Sequence, residues 1–323
     1  MIAVGLLCTV LALFAISTQL STVSEEDKKQ NAEQTFIASP PSNAFCTRAL
    51  KGHRPFVCAH GGETSVHQPN TAAAYSAALL YTDCIEMDAS LTMDHQLVSM
   101  HDRDLQQLLQ QPSAKVEHYT LQQLQSDEWP ESQRVMTVQQ ALAAAVPHAE
   151  QLIIDVKADA ADKVLRLSNG SSVSQHAYIA EQLLQLLAAH EDCSSSCLVW
   201  GKADKVIKQV LQRAPRQLAG YVVLREKTAS RNKENSQYSD PLRRGLQEAK
   251  VVAVHHDLLD TQLVSTLRSG GKSAYAWTAD SPTELQRLLD LGIDGIVTNR
   301  PALLSEAIDQ RMRKCSATAQ QRS

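Results

Sequence analysis

Residues 56–90 read FVCAHGGETSVHQPNTAAAYSAALLYTDCIEMDAS. A five-residue apolar run, FVCAH, is followed by a loop with two glycines and a proline. Then comes an alanine- and leucine-rich amphipathic stretch, TAAAYSAALLY, and a second apolar run, CIEMD. Strand, loop, helix, strand is one βα unit, and the same alternation continues down the chain. Further strand candidates are LVSMHD, LIIDVK, CLVWGK, GYVVL, VVAVHH, AYAWTAD and GIVTN. Helical patterns such as TVQQALAAAVP, AYIAEQLLQLLAAH, KVIKQVLQRA and PTELQRLLDLG fall between most of them. The expected fold is α/β, a TIM-type (β/α)8 barrel. Nine candidates are one too many for eight staves, and the sequence does not say which is extra. A doubly wound open sheet is the other α/β option, but no glycine-rich phosphate fingerprint follows the first strand.

A chain of 323 residues with 43% hydrophobic content is enough for one large barrel. The net charge of −4 and 4% aromatic content give no basis for nucleic-acid binding. Residues 1–20, MIAVGLLCTVLALFAISTQL, lack charged side chains and read as a signal peptide or a signal-anchor transmembrane segment. Either one directs the chain to the secretory pathway, anchored by a single pass or secreted, with residues 1–20 as the membrane attachment. Residues 21–52 are polar and read as a linker, 53–309 as the barrel and 310–323 as a polar tail. Asn169-Gly170-Ser171 is an N-glycosylation acceptor in a polar loop. Cys193 and Cys197 are close enough in sequence to bridge, and a closed barrel brings Cys46 and Cys315 together as a second candidate pair. Cys58 and Cys84, inside apolar runs, read as buried thiols.

Polar side chains gather at the carboxyl ends of the strands: His60, Glu86, Asp88, His101, Asp155, Lys157, Lys202, His255 and His256. In a (β/α)8 barrel that end carries the active site. Glu86 and Asp88 are two apart in a strand and share a face. With Asp155 they make three carboxylates that repel unless a cation sits among them, and a hard divalent ion, Mg²⁺ or Ca²⁺, suits oxygen ligands. His60 and His101, read as the ends of the first and third strands, suit paired acid and base roles. Trp277 is either an apolar wall for a substrate or a core residue. His255 and His256 are adjacent in a strand, so at most one faces a pocket.

These residues resemble the glycerophosphodiester phosphodiesterases, a family of phospholipase-C-like barrels. The blocks that carry the resemblance are AHGG (59–62), CIEMDASLTMD (84–94), HDRDL (101–105), IDVK (154–157) and AYAWTADSPTELQRLLDLGIDGIVTNRP (274–301). The resemblance implies metal-dependent hydrolysis of small glycerophosphodiesters to glycerol 3-phosphate and an alcohol. It makes Glu86, Asp88 and Asp155 metal ligands, with Asp155 standing where the family has glutamate. It makes His60 and His101 catalytic, with His60 favoured as base and His101 as acid, Lys157 a phosphate ligand and Asn70 a substrate-binding asparagine. Two positions depart from the pattern: Gly61 replaces an arginine after the first histidine, and Pro69 replaces a glutamate before Asn70. HGG with QPNT looks like a plant-like variant branch. Lys202 and Arg103 are the candidates to replace the lost cation, and the glycines are expected to let backbone amides approach a phosphate. A lysophospholipase D-like activity at a membrane and a non-catalytic binding barrel are the alternative functions.

Overall fold

The computed structural model describes residues 24–126, 134–191, 193–224 and 241–321. Residues 1–20, on which the expected leader and membrane attachment rest, lie outside the described residues. Among the described residues no helix is long and apolar enough to cross a membrane.

Twelve strands are described: β1 Phe56–His60, β2 Cys84–Leu91, β3 Leu97–Ser99, β4 Met136–Thr137, β5 Gln151–Val156, β6 Val164–Arg166, β7 Ser172–Ser174, β8 Cys197–Gly201, β9 Gly220–Val223, β10 Val251–His255, β11 Ser273–Trp277 and β12 Gly295–Thr298. Eight form the barrel. β1 pairs in parallel with β2, β2 with β5, and β5 with β8. On the other side β1 pairs with β12, β12 with β11, β11 with β10, and β10 with β9. The ring closes between β8 and β9 through the parallel bridge Val199–Ala219.

The ninth candidate is LVSMHD. β2 runs past the barrel to Leu91, turns at Thr92–His95, where His95 adopts φ 63°, and returns as β3. β3 is antiparallel to both β2 and β4. His101 therefore does not end a barrel stave. It caps the helix Asp102–Leu109, to which this ribbon leads.

The two-residue period of the strands places the site. Ile85, Met87 and Ala89 pack outward with the helices, as do Leu152, Ile154 and Val156, Val252 and Val254, and Ala274 and Ala276. The alternate residues Cys58, Cys84, Ile153, Leu198, Trp200, Val222, Val251, Ala253, Tyr275 and Val297 fill the barrel interior. Two steps beyond an interior residue, the inward position at the carboxyl end falls on His60, Glu86, Asp155, Lys202, His255, Trp277 and Asn299. Asp88 lies two steps beyond Glu86. Apolar rungs below and polar rungs above are one feature of the sequence.

The same register corrects the reading of two cysteines as thiols. Cys58 and Cys84 are partners across β1 and β2, both inward, with Cα atoms 4.4 Å apart, and they form a disulfide. Cys193–Cys197 and Cys46–Cys315 are also bridged.

The ends of the chain depart from the expected linker and tail. Residues Glu25–Ala38 form a helix started by a capping box at Ser24 and Asp27, and Asn43–Ala49 form another. Phe36, Ile37 and Phe45 are buried in the main core. The tail is the last part of one helix, Pro301–Gln320. Arg311 on it is fully buried, donates to the Phe36 carbonyl at 3.0 Å and lies over the Phe36 ring. The first helix is polar until Phe36 and Ile37 at its end, and the last helix is apolar on one face only; those residues cover the barrel. Cys46–Cys315 closes a separation of 269 residues. Converting both cysteines to serine is expected to lower stability by about 2–4 kcal/mol. Urea unfolding of the oxidised protein checks this, and an unchanged midpoint would show the bridge to be dispensable. Asn169 is exposed at the turn between β6 and β7, with its Oδ1 accepting from Ser171 N–H and Oγ–H.

Candidate active site

The expected residues meet at the carboxyl mouth of the barrel. A cavity of about 100 Å³ is lined by His60, Glu86, His101, Arg103, Asp155, Lys157, Trp200, Lys202 and Trp277. A second space of about 240 Å³ adjoins it and shares His101, Asp155, Lys157 and Lys202.

Glu86 and Asp88 are almost fully buried on β2, and Asp155 is the register partner of Asp88 on β5. One oxygen from each lies within 4.8 Å of the other two. The aspartate is thus long enough to join the cluster where a glutamate was expected. Burial, and then the charge of Asp88, push Glu86 up to about 7. Burial pushes Asp88 the same way, but Lys157 and His101 outweigh it and hold Asp88 at about 2. Near neutral pH the cluster therefore needs more positive charge than it has in order to ionise fully. Asp88 Oδ1 makes no hydrogen bond of good geometry, although Lys157 Nζ is 2.7 Å away. An all-oxygen cluster with a buried oxygen to spare fits a hard divalent cation. Lys157 also pairs with Asp155. Burial opposes the lysine's charge, but Asp155 and Asp88 outweigh it and hold its pKa high.

Asn70 is tied to the acidic cluster. It sits at φ 62° and is almost fully buried. Its Nδ2 donates to Asp88 Oδ2 at 2.7 Å, and its Oδ1 accepts from Asp88 N–H at 3.0 Å. Ser99 Oγ–H and Tyr75 O–H reach the same oxygen at 3.1 and 3.3 Å. Asn70 therefore fixes Asp88 from both sides.

His60 Nδ1 lies 2.8 Å from Asn299 Oδ1. Asn299 is oriented in turn by Asp280, which accepts from its Nδ2 and its backbone N–H, each at 2.7 Å. Thr298 Oγ–H adds a third bond to that carboxylate at 3.0 Å. With the amide oxygen facing the ring, the His60 proton is on Nδ1 and Nε2 is left free. Burial works against an imidazolium at His60, but Glu86, Asp88 and the Asn299 bond outweigh it and raise the pKa. His101 has the opposite tautomer. Its Nδ1 accepts the Arg103 N–H at 2.9 Å, so its proton is on Nε2, and burial and then Lys157 lower its pKa. Asn299 and Asp280 were missed because they are ordinary strand-end residues taken singly. Their signal was position: both lie in the 274–301 block, and Asn299 takes the next inward rung after Val297.

The two departures from the family pattern touch each other. Gly61 has φ 66°, and a Cβ there would meet Pro69 Cβ at 3.0 Å. Any residue but glycine at 69 would bring that Cβ, so the positive φ and this contact favour glycine at 61 without singling out proline. The glycine amides do not reach toward a phosphate as expected. Gly61 N–H is shared between the Glu86 carbonyl at 2.9 Å and Oε2 at 3.2 Å, and Gly62 N–H goes to the Ala59 carbonyl at 3.3 Å. Two cations stand at the mouth: Lys202 lines both spaces, and Arg103, half-exposed beside Asp104, lines the smaller. Trp277 also lines the smaller space, held by Nε1–H donation to the Ala253 carbonyl at 3.0 Å.

Comparison with known proteins agrees with this architecture. Residues 53–303 match the Glycerophosphoryl diester phosphodiesterase family. The chain is 31% identical over 272 residues to glycerophosphodiester phosphodiesterase GDPD4 of Arabidopsis thaliana, covering 81% of this chain and 76% of that one. In fold it is similar to a phosphodiesterase of Oleispira antarctica solved in complex with the product sn-glycerol-3-phosphate. The TM-score is 0.61 at 18% identity, over 81% of this chain and 99% of the other. A glycerophosphodiester phosphodiesterase of Parabacteroides distasonis gives a TM-score of 0.60 at 18% identity, over 80% and 98%.

Proposed function

Since the chain belongs to the glycerophosphoryl diester phosphodiesterase family, we propose that these residues are how it hydrolyses glycerophosphodiesters to glycerol 3-phosphate and an alcohol. The observation that supports the assignment of roles is the opposite tautomers of His60 and His101, which line one cavity with Glu86 and Asp155.

Glu86, Asp88 and Asp155 are the groups to hold a divalent ion, Mg²⁺ or Ca²⁺. When bound, the ion supplies charge that offsets the carboxylates and polarises a non-bridging phosphoryl oxygen. With those carboxylates offset, burial governs His60 and favours its neutral ring. Nε2 then takes the proton from the nucleophile, a water or the glycerol 2-hydroxyl, while Asn299 and Asp280 keep the ring in place. His101 donates a hydrogen bond from Nε2–H to the departing alkoxide oxygen, which takes its proton from water, so the ring stays neutral. Lys157 neutralises charge on the phosphoryl oxygens, and Lys202 takes over part of the role of the missing arginine. Asn70 serves by positioning Asp88.

Lys202→Ala is expected to raise KM for a glycerophosphodiester about tenfold or more, since a charge-assisted contact is lost. Steady-state kinetics on glycerophosphocholine check this, and unchanged constants would end the compensation argument. Product analysis tests the reaction itself. Glycerophosphocholine should give glycerol 3-phosphate and choline. If lysophosphatidylcholine were cleaved and glycerophosphocholine were not, the lysophospholipase D-like reading would replace this one. The anchoring expected of residues 1–20 bears on which of these substrates the mouth meets.

A further inference from the structure

On the rim of the mouth, beyond Trp277, two histidines and two carboxylates converge. We infer that His255, His256, Asp257 and Glu284 form a second metal site, for a transition-metal ion of the zinc class. His255 ends β10 and His256 begins the 3-10 turn His256–Leu258, so the expected opposite facing of adjacent strand residues is lost and the rings stack at 4.6 Å.

The spacings are those of a first coordination shell. His256 Nδ1 is 3.2 Å from Glu284 Oε1 and 3.3 Å from Asp257 Oδ1, and His255 Nδ1 is 3.7 Å from Asp257 Oδ2. Tetrahedral zinc with bonds of about 2.0–2.1 Å sets neighbouring ligand atoms about 3.3 Å apart. His256 Nδ1 is buried and makes no hydrogen bond of good geometry to either carboxylate. His255, His256 and Asp257 each bring a ligand atom within 4.8 Å of the other two, and Glu284, whose Oε1 adjoins His256 Nδ1, would turn toward an ion held there. Asp257 is 72% exposed, which gives access and lets it turn the few tenths of an ångström that His255 needs. The Asp257 N–H bond to His255 Nδ1, at 3.4 Å, is long and readily given up.

The ligands are also held from behind, as metal ligands are. Glu284 Oε2 accepts from Ser281 Oγ–H at 2.8 Å in the capping box of helix Pro282–Asp290, which leaves Oε1 for the cluster. Arg287 on that helix donates to the carbonyls of His256 and Leu259 at 2.7 and 2.6 Å, tying the turn to it. His255 packs edge-on against Trp277 at 5.3 Å. Imidazole with carboxylate suits zinc rather than the hard ions that suit the all-oxygen cluster of Glu86, Asp88 and Asp155.

The test is Zn²⁺ stoichiometry by equilibrium dialysis on the full chain, with Co²⁺ as a visible reporter of four-coordinate geometry. It is run in an Asp88→Asn background to remove the other cluster. One Zn²⁺ should bind tightly there and be lost when His255→Ala and His256→Ala are added. Glu284→Gln keeps the capping box and should weaken Zn²⁺ about tenfold or more, so it carries the test even if the histidine variant is misfolded by circular dichroism. Zn²⁺ affinity unchanged in Glu284→Gln, or equal stoichiometry in a folded histidine variant, would overturn the site.

Discussion

His60→Ala should lower kcat for glycerophosphodiester hydrolysis by about a hundred- to ten-thousand-fold, the usual worth of a positioned acid–base group. The ring sits in the active-site cavity, and Asn299 holds it there on an amide that Asp280 has already oriented. Removing the ring takes away the group with a free Nε2 and leaves the barrel core below it intact. Asn299→Ala should cost less, because the ring stays and only its orientation loosens. Circular dichroism and steady-state kinetics together check both. If Asn299→Ala were as damaging as His60→Ala in a folded protein, Asn299 would have a direct part in the reaction. If His60→Ala kept near wild-type kcat, the base would lie elsewhere.

The largest stability effect is expected two residues on. Gly62 has φ 94°, and a Cβ there would lie 2.6 Å from the Ala74 carbonyl carbon and 2.7 Å from its Cβ and oxygen. Those atoms belong to Ala74, a buried residue of the helix Ala72–Ala78 whose carbonyl accepts the Glu63 N–H at 2.8 Å, so they cannot move away freely. Gly62→Ala should cost about 3 kcal/mol or more, combining backbone strain with overpacking. Gly170→Ala isolates the first part. It has φ 82° with nothing within 4 Å of its Cβ, so it should cost only about 1–2 kcal/mol. Equal urea midpoints for the two variants would show that the Ala74 contact relaxes at no cost.

The barrel was legible because both of its signals are local. Short continuous apolar runs mark strands buried on both faces, and the acid or imidazole that ends them shows where the interior stops. Glu86, Asp88, Asp155 and His60 follow from that rule. His101 differs: the sequence suggests the end of a parallel stave, whereas the residue caps a helix after an antiparallel ribbon. Strand direction depends on pairing partners, and three apolar residues do not encode them.

What stayed hidden depends on contacts between distant residues. Cys58 and Cys84 are ordinary core residues until the register of β1 on β2 sets them side by side. Asn70 stands out in the sequence only by its match to the family's asparagine, and its bonds to Asp88, Ser99 and Tyr75 appear only in the fold. Phe36 and Arg311 lie in segments that are polar on average, and only their pairing across the chain reveals a buried face. Gly61 and Pro69 lie against each other, which a separation of eight residues in sequence does not show.

The central claim is that the acidic cluster and the two histidines at the barrel mouth form one metal-dependent hydrolytic site. Its most direct test is release of glycerol 3-phosphate from glycerophosphocholine by the full chain, first stripped with EDTA and then given Mg²⁺ or Ca²⁺. Wild type should lose activity on chelation and regain it on re-addition, while Asp88→Asn should regain little or none. Undiminished hydrolysis after chelation, or full recovery in Asp88→Asn, would contradict the account.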